Sequence, residues 1–567
     1  MKGLEAQALE LLQPVLDSGK ADAGTLSLAG EAYLQAGDPK RGGKIVYGLE
    51  ADSNGGYCLS EGQLAISGMM IVRAVYDTLT IPNSKGEFVP YLAKEITHND
   101  DYTQWDIKLR EGIKFHDGSD LDATVVKNNL DAYRGTYPGR SSLLFAFILK
   151  NIKDTTVVDP LTVRVTTEVP WVAFPSYLYS SSRLGIMAQA QLDSKDACGT
   201  KPIGTGPFKF VSWEPNTKLV VEKNPDYWQI APDGKPYPYL DGIEFRPIPD
   251  GQVRNQAVQA GDVDIMHTTN GEDISGDLLK GRDAGKLNML VSEDMGEIAF
   301  VQLNNTTPPF DDIRMRKALA MGADRNQINE TINAGLPTVV NGPFAPDSVA
   351  YLEDTGMPGV DVAEAKKLVA EYKAEGKDPS FTISATTNPP VKRLAELIQQ
   401  KAKAVGVDVK IVQMDQAALI NAAIAKKYQA MTFRNYPGGD PDSLYVWFYS
   451  SNKTADGGST PNLVNFAGID DDEVDRLLDE GRSEPDPAKR KQIYQDLEKR
   501  MGSQVFDVWA WSQPWAVVEQ SHLHGILGPN LPGADASEAT ADGDADLTPS
   551  SGLATGHSLI GLWLDNA

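Results

Sequence analysis

GTGPFKFVSWEPNTKLVVEKNPDYW, Gly204 to Trp228, is the stretch from which the fold reads outward. Phe208 and Phe210 alternate with polar neighbours, and Leu219 and Val221 do the same, the period of half-buried strands. A Gly-Thr-Gly-Pro run leads in. Asn224-Pro225 turns the chain out, followed by the aromatic pair Tyr227 and Trp228. The stretch predicts a β-hairpin sealed by aromatic rings.

Upstream, GGKIVYGLE from Gly42 reads as a strand, ADSNGGYC as a glycine-rich loop, and Ala65 to Tyr76 as a helix. Glu87 to Tyr133 reads as a meander followed by a helix. In it Trp105, Ile107 and Leu109 alternate toward one face, and His116-Asp117-Gly118 supplies a turn. TTVVDPLTVRVTTEV, from Thr155, predicts a hairpin through Asp159-Pro160. Downstream, Tyr239 to His267 reads strand, helix, strand. PPFDD before Arg314, Arg316 and Ala318 starts another helix.

From Asp361 the pattern changes. DVAEAKKLVAEYKAEG, PPVKRLAELIQQKAKAVG and QAALINAAIAKKY read as helices; FTISATT, VDVKIVQMD and QAMTFRN read as strands. Their alternation predicts an α/β lobe with a largely parallel sheet. Asp486 and Pro487 mark a helix start with Ile493, Leu497 and Met501 on one face. VFDVWAWSQPWAVV then crosses back to the first lobe. An acidic loop over 533–552 precedes a last strand, LIGLWLDN; its DGDAD lacks the spacing and closing Glu of an EF-hand.

The 567 residues exceed one core. With 41% hydrophobic and 23% charged residues the composition is that of a globular protein, and no apolar run is long enough to span a bilayer. A net charge of −25 argues against nucleic acid, which needs clustered Lys and Arg. Cys58 and Cys198 form no zinc pattern. Both fall near segments of one lobe, so they form a disulfide in an oxidising compartment and two buried thiols otherwise. Residues 1–40 show no signal-peptide pattern and no lipid-anchor cysteine. They read as two short helices turning at Gly19 and Gly24, a hairpin resembling one tetratricopeptide repeat, which packs on the main body or stands free.

From about Arg41 onward the ordered set of GTGPF, the Trp-bearing strand, LREGIKFHDG and the helix ending in Gly-Asp before a strand reading Asp-Ile resembles the family 5 solute-binding proteins of ABC importers, which take up oligopeptides and nickel. The resemblance implies an α/β, two-lobed periplasmic-binding-protein (type II, Venus-flytrap) fold with an additional small lobe, its mixed sheets flanked by helices. It divides the chain into lobe I (41–79, 196–297 and 506–567), a small extra lobe (80–195) and lobe II (298–505). Two crossover strands would make a clamp that closes on a ligand held in the cleft between the lobes.

It further implies an extracytoplasmic monomer that hands a small solute, peptide or peptide-like, to importer membrane subunits, with no cofactor, no metal and no catalysis. The alternative is an anionic solute or an oligosaccharide on the same fold. No GxSxG, HExxH, dinucleotide or phosphate-loop motif is present, and the His522/His524 pair lacks a third metal ligand.

Candidate ligand contacts come from loops at strand ends: Asn54, Gly55, Gly56 and Tyr57; Asn304 and Asn305; Arg434, Asn435, Tyr436, Asp440 and Asp442; and the aromatics Trp447 and Trp511. Tyr445, Trp509 and Trp515 lie among them as an aromatic wall or as core. In peptide-binding relatives the matching loop carries a Trp, an Asp that pairs with the peptide ammonium, and an acidic-Pro pair. Aligning that pair on Asp440-Pro441 puts Arg434 at the Trp position and Pro437 at the Asp position. Either Asp440 or Asp442 takes the ammonium role, or Arg434 meets an anion through its fork of donors, or Arg434 forms an internal ion pair.

Overall fold

The computed structural model describes residues 39–53, 55–62, 64–142, 146–180, 183–386, 389–435, 438–450, 464–533, 547–550, 552–553 and 558–565. The N-terminal hairpin, 534–546 of the acidic loop, Asn54 and Tyr436 lie outside them. The chain forms two compact units. One gathers the residues up to Thr269, Gly276–Ser292 and Trp515 onward; the other gathers Asn270–Ser275 and Glu293–Pro514. Two long strands, Leu287–Leu303 and Asp507–Gln520, run from one unit into the other.

In the first unit the sheet order is Ile265–Thr268, Lys44–Leu49, Gly242–Pro247, Lys218–Lys223, Phe208–Glu214, with Lys44–Leu49 parallel to both neighbours and the remainder antiparallel. The expected hairpin is Phe208–Glu214 with Lys218–Lys223. Its lead-in glycines are explained by close approach. A Cβ on Gly204 would stand 2.1 Å from the Val75 carbonyl oxygen, and one on Gly206 would stand 2.5 Å from the Val75 carbonyl carbon, at the end of the helix Ile66–Val75. The His-Asp-Gly turn docks on the same run: the His116 amide donates to Gly204 O at 2.9 Å, and its ring Nε2 lies 2.9 Å from Gly206 O. Burial lowers the His116 imidazole to about 4, so it is neutral at neutral pH.

The closing aromatics converge on one buried acid. Asp77 accepts from Thr205 Oγ1 (2.9 Å), Trp228 Nε1 (3.0 Å) and Tyr227 OH (3.1 Å). Burial still raises its carboxyl to about 6 against those donors. A second antiparallel sheet, in the order Ala93–His98, Gln104–Leu109, Thr162–Thr167, Ile152–Asp159, buries Trp105, Ile107 and Leu109 with Val163 and Val165. The helix Ala123–Tyr133 packs on it, capped by Asp122, which accepts from the Val125 amide at 2.9 Å.

In the second unit Val409–Met414, Phe381–Thr386 and Ala430–Asn435 are parallel neighbours, and Leu287–Leu303 joins Ala430–Asn435 antiparallel. Leu303, Phe310, Leu319, Ile328, Ile383 and Ile398 belong to the core under the helices Ile313–Gly322, Arg325–Asn333 and Pro389–Ala404. Asp312, Asp324, Asp361, Asp415, Asp471 and Asp486 each cap a helix here, accepting from amides of its first turn. Part of the acidity is therefore helix-starting chemistry, at about 1 kcal/mol per cap.

Two details differ from the sequence reading. Among the described residues LIGLWLDN holds the two-residue strand Trp563–Leu564, paired with Leu523–His524, and Gly561 before it sits tight against Gly525 and Gly528. In the helix Pro487–Gln504 the buried face runs Tyr494, Leu497, Glu498, Met501, leaving Ile493 half-buried.

Candidate functional site

In the first unit the loop after Lys44–Leu49 is locked from beneath. Asp52 accepts from the Ser53 amide (2.7 Å), the Asn216 amide (2.6 Å) and Trp213 Nε1 (3.0 Å), which pins it to the hairpin turn. Tyr57 is fully buried, its ring edge-on to Trp213 at 5.2 Å and its amide donating to Gly199 O at 2.8 Å. Gly56 has φ +69°, and a Cβ there would stand 2.6 Å from Gly199 O. Cys58 and Cys198 are joined as a disulfide beside this contact. Of the four loop candidates, Gly55 alone among the described residues is exposed; Gly56 and Tyr57 are interior.

His267 stands near the end of a strand, as the sequence indicates. It is buried, and its Nε2 accepts from the Glu50 amide at 3.3 Å and lies 3.4 Å from Ser67 Oγ. Trp515 packs edge-on against it at 5.3 Å, which makes this tryptophan core rather than wall. His522 and His524 face Asp264 and Asp565 at 3.5 and 3.1 Å. Among the described residues no group of three or more His, Cys, Asp or Glu is placed to hold a metal ion.

In the second unit the candidates separate. Asn304 is fully buried and brackets the chain: its Nδ2 donates to Lys426 O (3.1 Å) and Tyr428 O (2.9 Å), and its Oδ1 accepts from Thr306. Asn305 donates to the carbonyls of Leu303, Ala467 and Phe506. Arg434 pairs across the strands with Ala299, five residues before Asn304, so at ~3.3 Å per residue the two positions lie roughly 16 Å apart along the strand. One small ligand group cannot touch both.

Asp440 and Asp442 are committed internally. Asp440 caps the short turn Pro441–Ser443 and takes a bidentate Arg490, with contacts of 2.6 and 2.9 Å. Asp442 is fully buried. It accepts from Arg482 Nε and Nη2, each at 3.1 Å, and from Tyr494 OH at 3.3 Å. The Arg482 guanidinium lies 3.5 Å over the Tyr445 ring, which stacks on Tyr449; both phenols donate to Asp479. These contacts clamp residues 440–449 onto the helices Asp472–Ser483 and Pro487–Gln504.

Arg434 is ion-paired within the second unit. Its Nε lies 3.3 Å from Glu297 Oε2, the Arg side chain 31% exposed and the Glu 10%. The pairing is diagonal: Glu297 sits two residues before Ala299, on the same strand face. Asn435 follows at the strand end, half-buried. Among the aromatics, Trp511 is buried with its Nε1 on Gln513 (3.2 Å), Trp509 packs between Phe300 and Phe448, and Trp447 is half-buried beside Phe466.

Compared with known proteins, residues 87–456 match the family model of the bacterial extracellular solute-binding proteins, family 5. The glutathione-binding protein GsiB of Escherichia coli K12 is 27% identical over 445 residues, 78% of this chain and 82% of its own. That of Pectobacterium atrosepticum is 27% identical over 483 residues, 84% and 89%. Among solved structures, AgaA from A. tumefaciens R10 in complex with agropinic acid superposes with a TM-score of 0.77 at 23% identity, covering 93% of this chain and 99% of its own. DppA from Helicobacter pylori in complex with the peptide STSA gives 0.77 at 21%, covering 93% and 98%. These structures establish the periplasmic-binding-protein fold, and no described helix is long and apolar enough to cross a membrane. The chain belongs to the family 5 solute-binding proteins, the substrate-binding components of ABC importers, which bind solutes and carry out no chemistry on them.

Proposed function

We propose that this protein captures a short peptide or peptide-like solute outside the cytoplasm and delivers it, as a monomer, to the membrane subunits of an importer. The observation that carries the reading is the family match over residues 87–456. The glutathione-binding relatives favour a peptide-like ligand. A disulfide between Cys58 and Cys198 suits an oxidising compartment, periplasm or cell surface. The division of the chain at 80, 196, 298 and 506 belongs to the same proposal.

A simple anion is the weaker ligand, because Glu297 already neutralises Arg434 and would repel it. The test is a thermal-shift and calorimetric screen of the purified full chain with di- to pentapeptides, glutathione, oligosaccharides, simple carboxylates and nickel. A ligand at 100 times its dissociation constant adds about 2.7 kcal/mol to the folded state. Peptide-type compounds should produce the shift. A shift with sugars, simple carboxylates or nickel alone overturns the proposal.

A further inference from the structure

A buried arginine in the first unit has a sulfur for a partner. The Arg140 side chain is 4% exposed, and its Nη1 lies 3.3 Å from Cys58 Sγ, one half of the bridge to Cys198. The same Nη1 reaches Glu61 Oε1 at 3.3 Å, Nη2 donates to Ser194 O at 2.9 Å, and Nε has no partner among the described residues. Ser60 Oγ stands 4.0 Å from the same sulfur. Cys198 is held through its carbonyl, which accepts from Gln191 Nε2 at 2.7 Å. Beyond Glu61, the titratable groups beside Arg140 are Tyr137 and Asp193, bonded to each other at 2.6 Å. The two sulfurs of the bridge are therefore unequal, with the cation at Cys58.

In the closed bridge this contact is a weak hydrogen bond to a neutral sulfur. With Cys58 free it becomes an ion pair, because a guanidinium kept from water favours a thiolate over a thiol. Disulfide exchange responds to that difference in two ways. The sulfur whose thiolate is better stabilised leaves faster, and a stabilised reduced form makes the bridge easier to open. An incoming thiolate attacks Cys198 Sγ, the S–S bond breaks, and its electron pair leaves on Cys58 Sγ against Arg140. A second thiolate attacks the added sulfur, releases the external disulfide, and leaves a Cys198 thiolate that takes up a proton. Two electrons and one proton have then entered the protein. Cys58 and Cys198 are 3% and 2% exposed, so attack waits on a local opening; that sets the rate and leaves the equilibrium to Arg140.

We propose that the Cys58–Cys198 bridge is a thiol-exchange site: Cys198 takes up the incoming thiol, Cys58 is the leaving group, and Arg140 holds the departing thiolate. The reductant is a small-molecule thiol or dithiol. The reduced chain keeps the Tyr57 amide on Gly199 O and gains the Cys58–Arg140 ion pair, so opening loosens the loop that carries Gly55 and is reversible. The exchange is separate from solute capture and does not depend on which solute binds.

The test is the midpoint potential of the full chain in dithiothreitol redox buffers from pH 6 to 8, read by alkylation and mass spectrometry. One proton per two electrons shifts the reduction equilibrium about tenfold per pH unit, about 30 mV; a bridge that regains a proton on both sulfurs shifts it about 100-fold, about 60 mV. The unaltered chain should follow the shallow slope and Arg140→Gln the steep one, with the variant's bridge on the order of tenfold harder to reduce at pH 7. Arg140→Lys, which keeps the charge, should restore the shallow slope. Brief exposure to 2-mercaptoethanol followed by iodoacetamide should leave mercaptoethanol on Cys198 and the alkyl group on Cys58. A merely structural arginine would lower the melting temperature of Arg140→Gln and leave the slope where it was. The steep slope in the unaltered chain, an unchanged slope in Arg140→Gln, or mercaptoethanol on Cys58 overturns the assignment. Slope and labelled cysteine are both read on the unaltered chain, so they decide even if the variants misfold. Failure of every peptide to bind would overturn the solute proposal and leave this one standing.

Discussion

Replacing Glu498 by Gln should change how stability depends on pH. Glu498 lies on the buried face of the helix Pro487–Gln504 with no exposed surface. Gly342 presses on it so closely that a Cβ there would stand 2.6 Å from its Cγ and Oε1. Burial raises its carboxyl from 4.5 to about 9, against the pull of backbone groups at Leu352 and Phe344. An acid whose folded value is raised keeps its proton in the native state after the unfolded chain has lost it. Its contribution is therefore complete below pH 4.5, falls as pH rises, and levels off above about 9. At about pH 7.5 the loss is three pH units at about 1.4 kcal/mol each, roughly 4 kcal/mol. Gln never ionises, and its misplaced amide donors impose a pH-independent cost of about 1–3 kcal/mol. Other buried acids, Asp507 and Glu293 raised to about 7 and Asp347 to about 6, tilt both proteins alike and cancel in the difference. The assay is thermal unfolding of both proteins from pH 4.5 to 9. The gap should move in favour of Glu498→Gln by about 4 kcal/mol between the acid end and pH 7.5, at roughly 2–4 °C per kcal/mol for a unit of this size. A gap that stays constant across the range refutes the buried-acid reasoning.

Asp442→Ala should destabilise the second unit by about 3–5 kcal/mol, because it strands the buried Arg482, whose side chain is 4% exposed; an unchanged urea midpoint would mean the clamp contributes nothing. Cys58→Ser should lower stability by up to about 5 kcal/mol, since the bridge closes a sequence separation of 140 residues. Reductant should lower the melting temperature of the unaltered protein similarly and leave the variant where it is.

The fold was legible because its decisive signals are local. Alternation at Phe208, Phe210, Leu219 and Val221 fixes a hairpin within twenty residues, and Asp486-Pro487 marks a helix start by itself. The glycines of Gly-Thr-Gly-Pro were visible as a motif, but their reason, the Val75 carbonyl, lies about 130 positions away. What failed to read was also non-local. LIGLWLDN carries the apolar density of a strand, yet among the described residues it finds a strand partner only at Trp563–Leu564, against Leu523–His524.

The same distance rule governs the candidate site. A carboxylate in a loop is judged by what it meets, and Asp440 and Asp442 meet arginines fifty and forty positions later, projected from two helices whose register the sequence alone does not supply. Arg434 meets Glu297 from the far end of an antiparallel pairing, so the ion pair emerges only once Ala299 is known to face Arg434. The excess of acid over base in the whole chain therefore says nothing about the charge offered to a ligand. Many of the acids are caps and clamps, already spoken for by amides and guanidinium groups. Arg434 and Glu297, 3.3 Å apart, likewise offset one another whatever the net charge. Substituting distant surface acids should accordingly alter solubility and association rate far more than equilibrium affinity, checked by calorimetry and stopped-flow binding on the same variants.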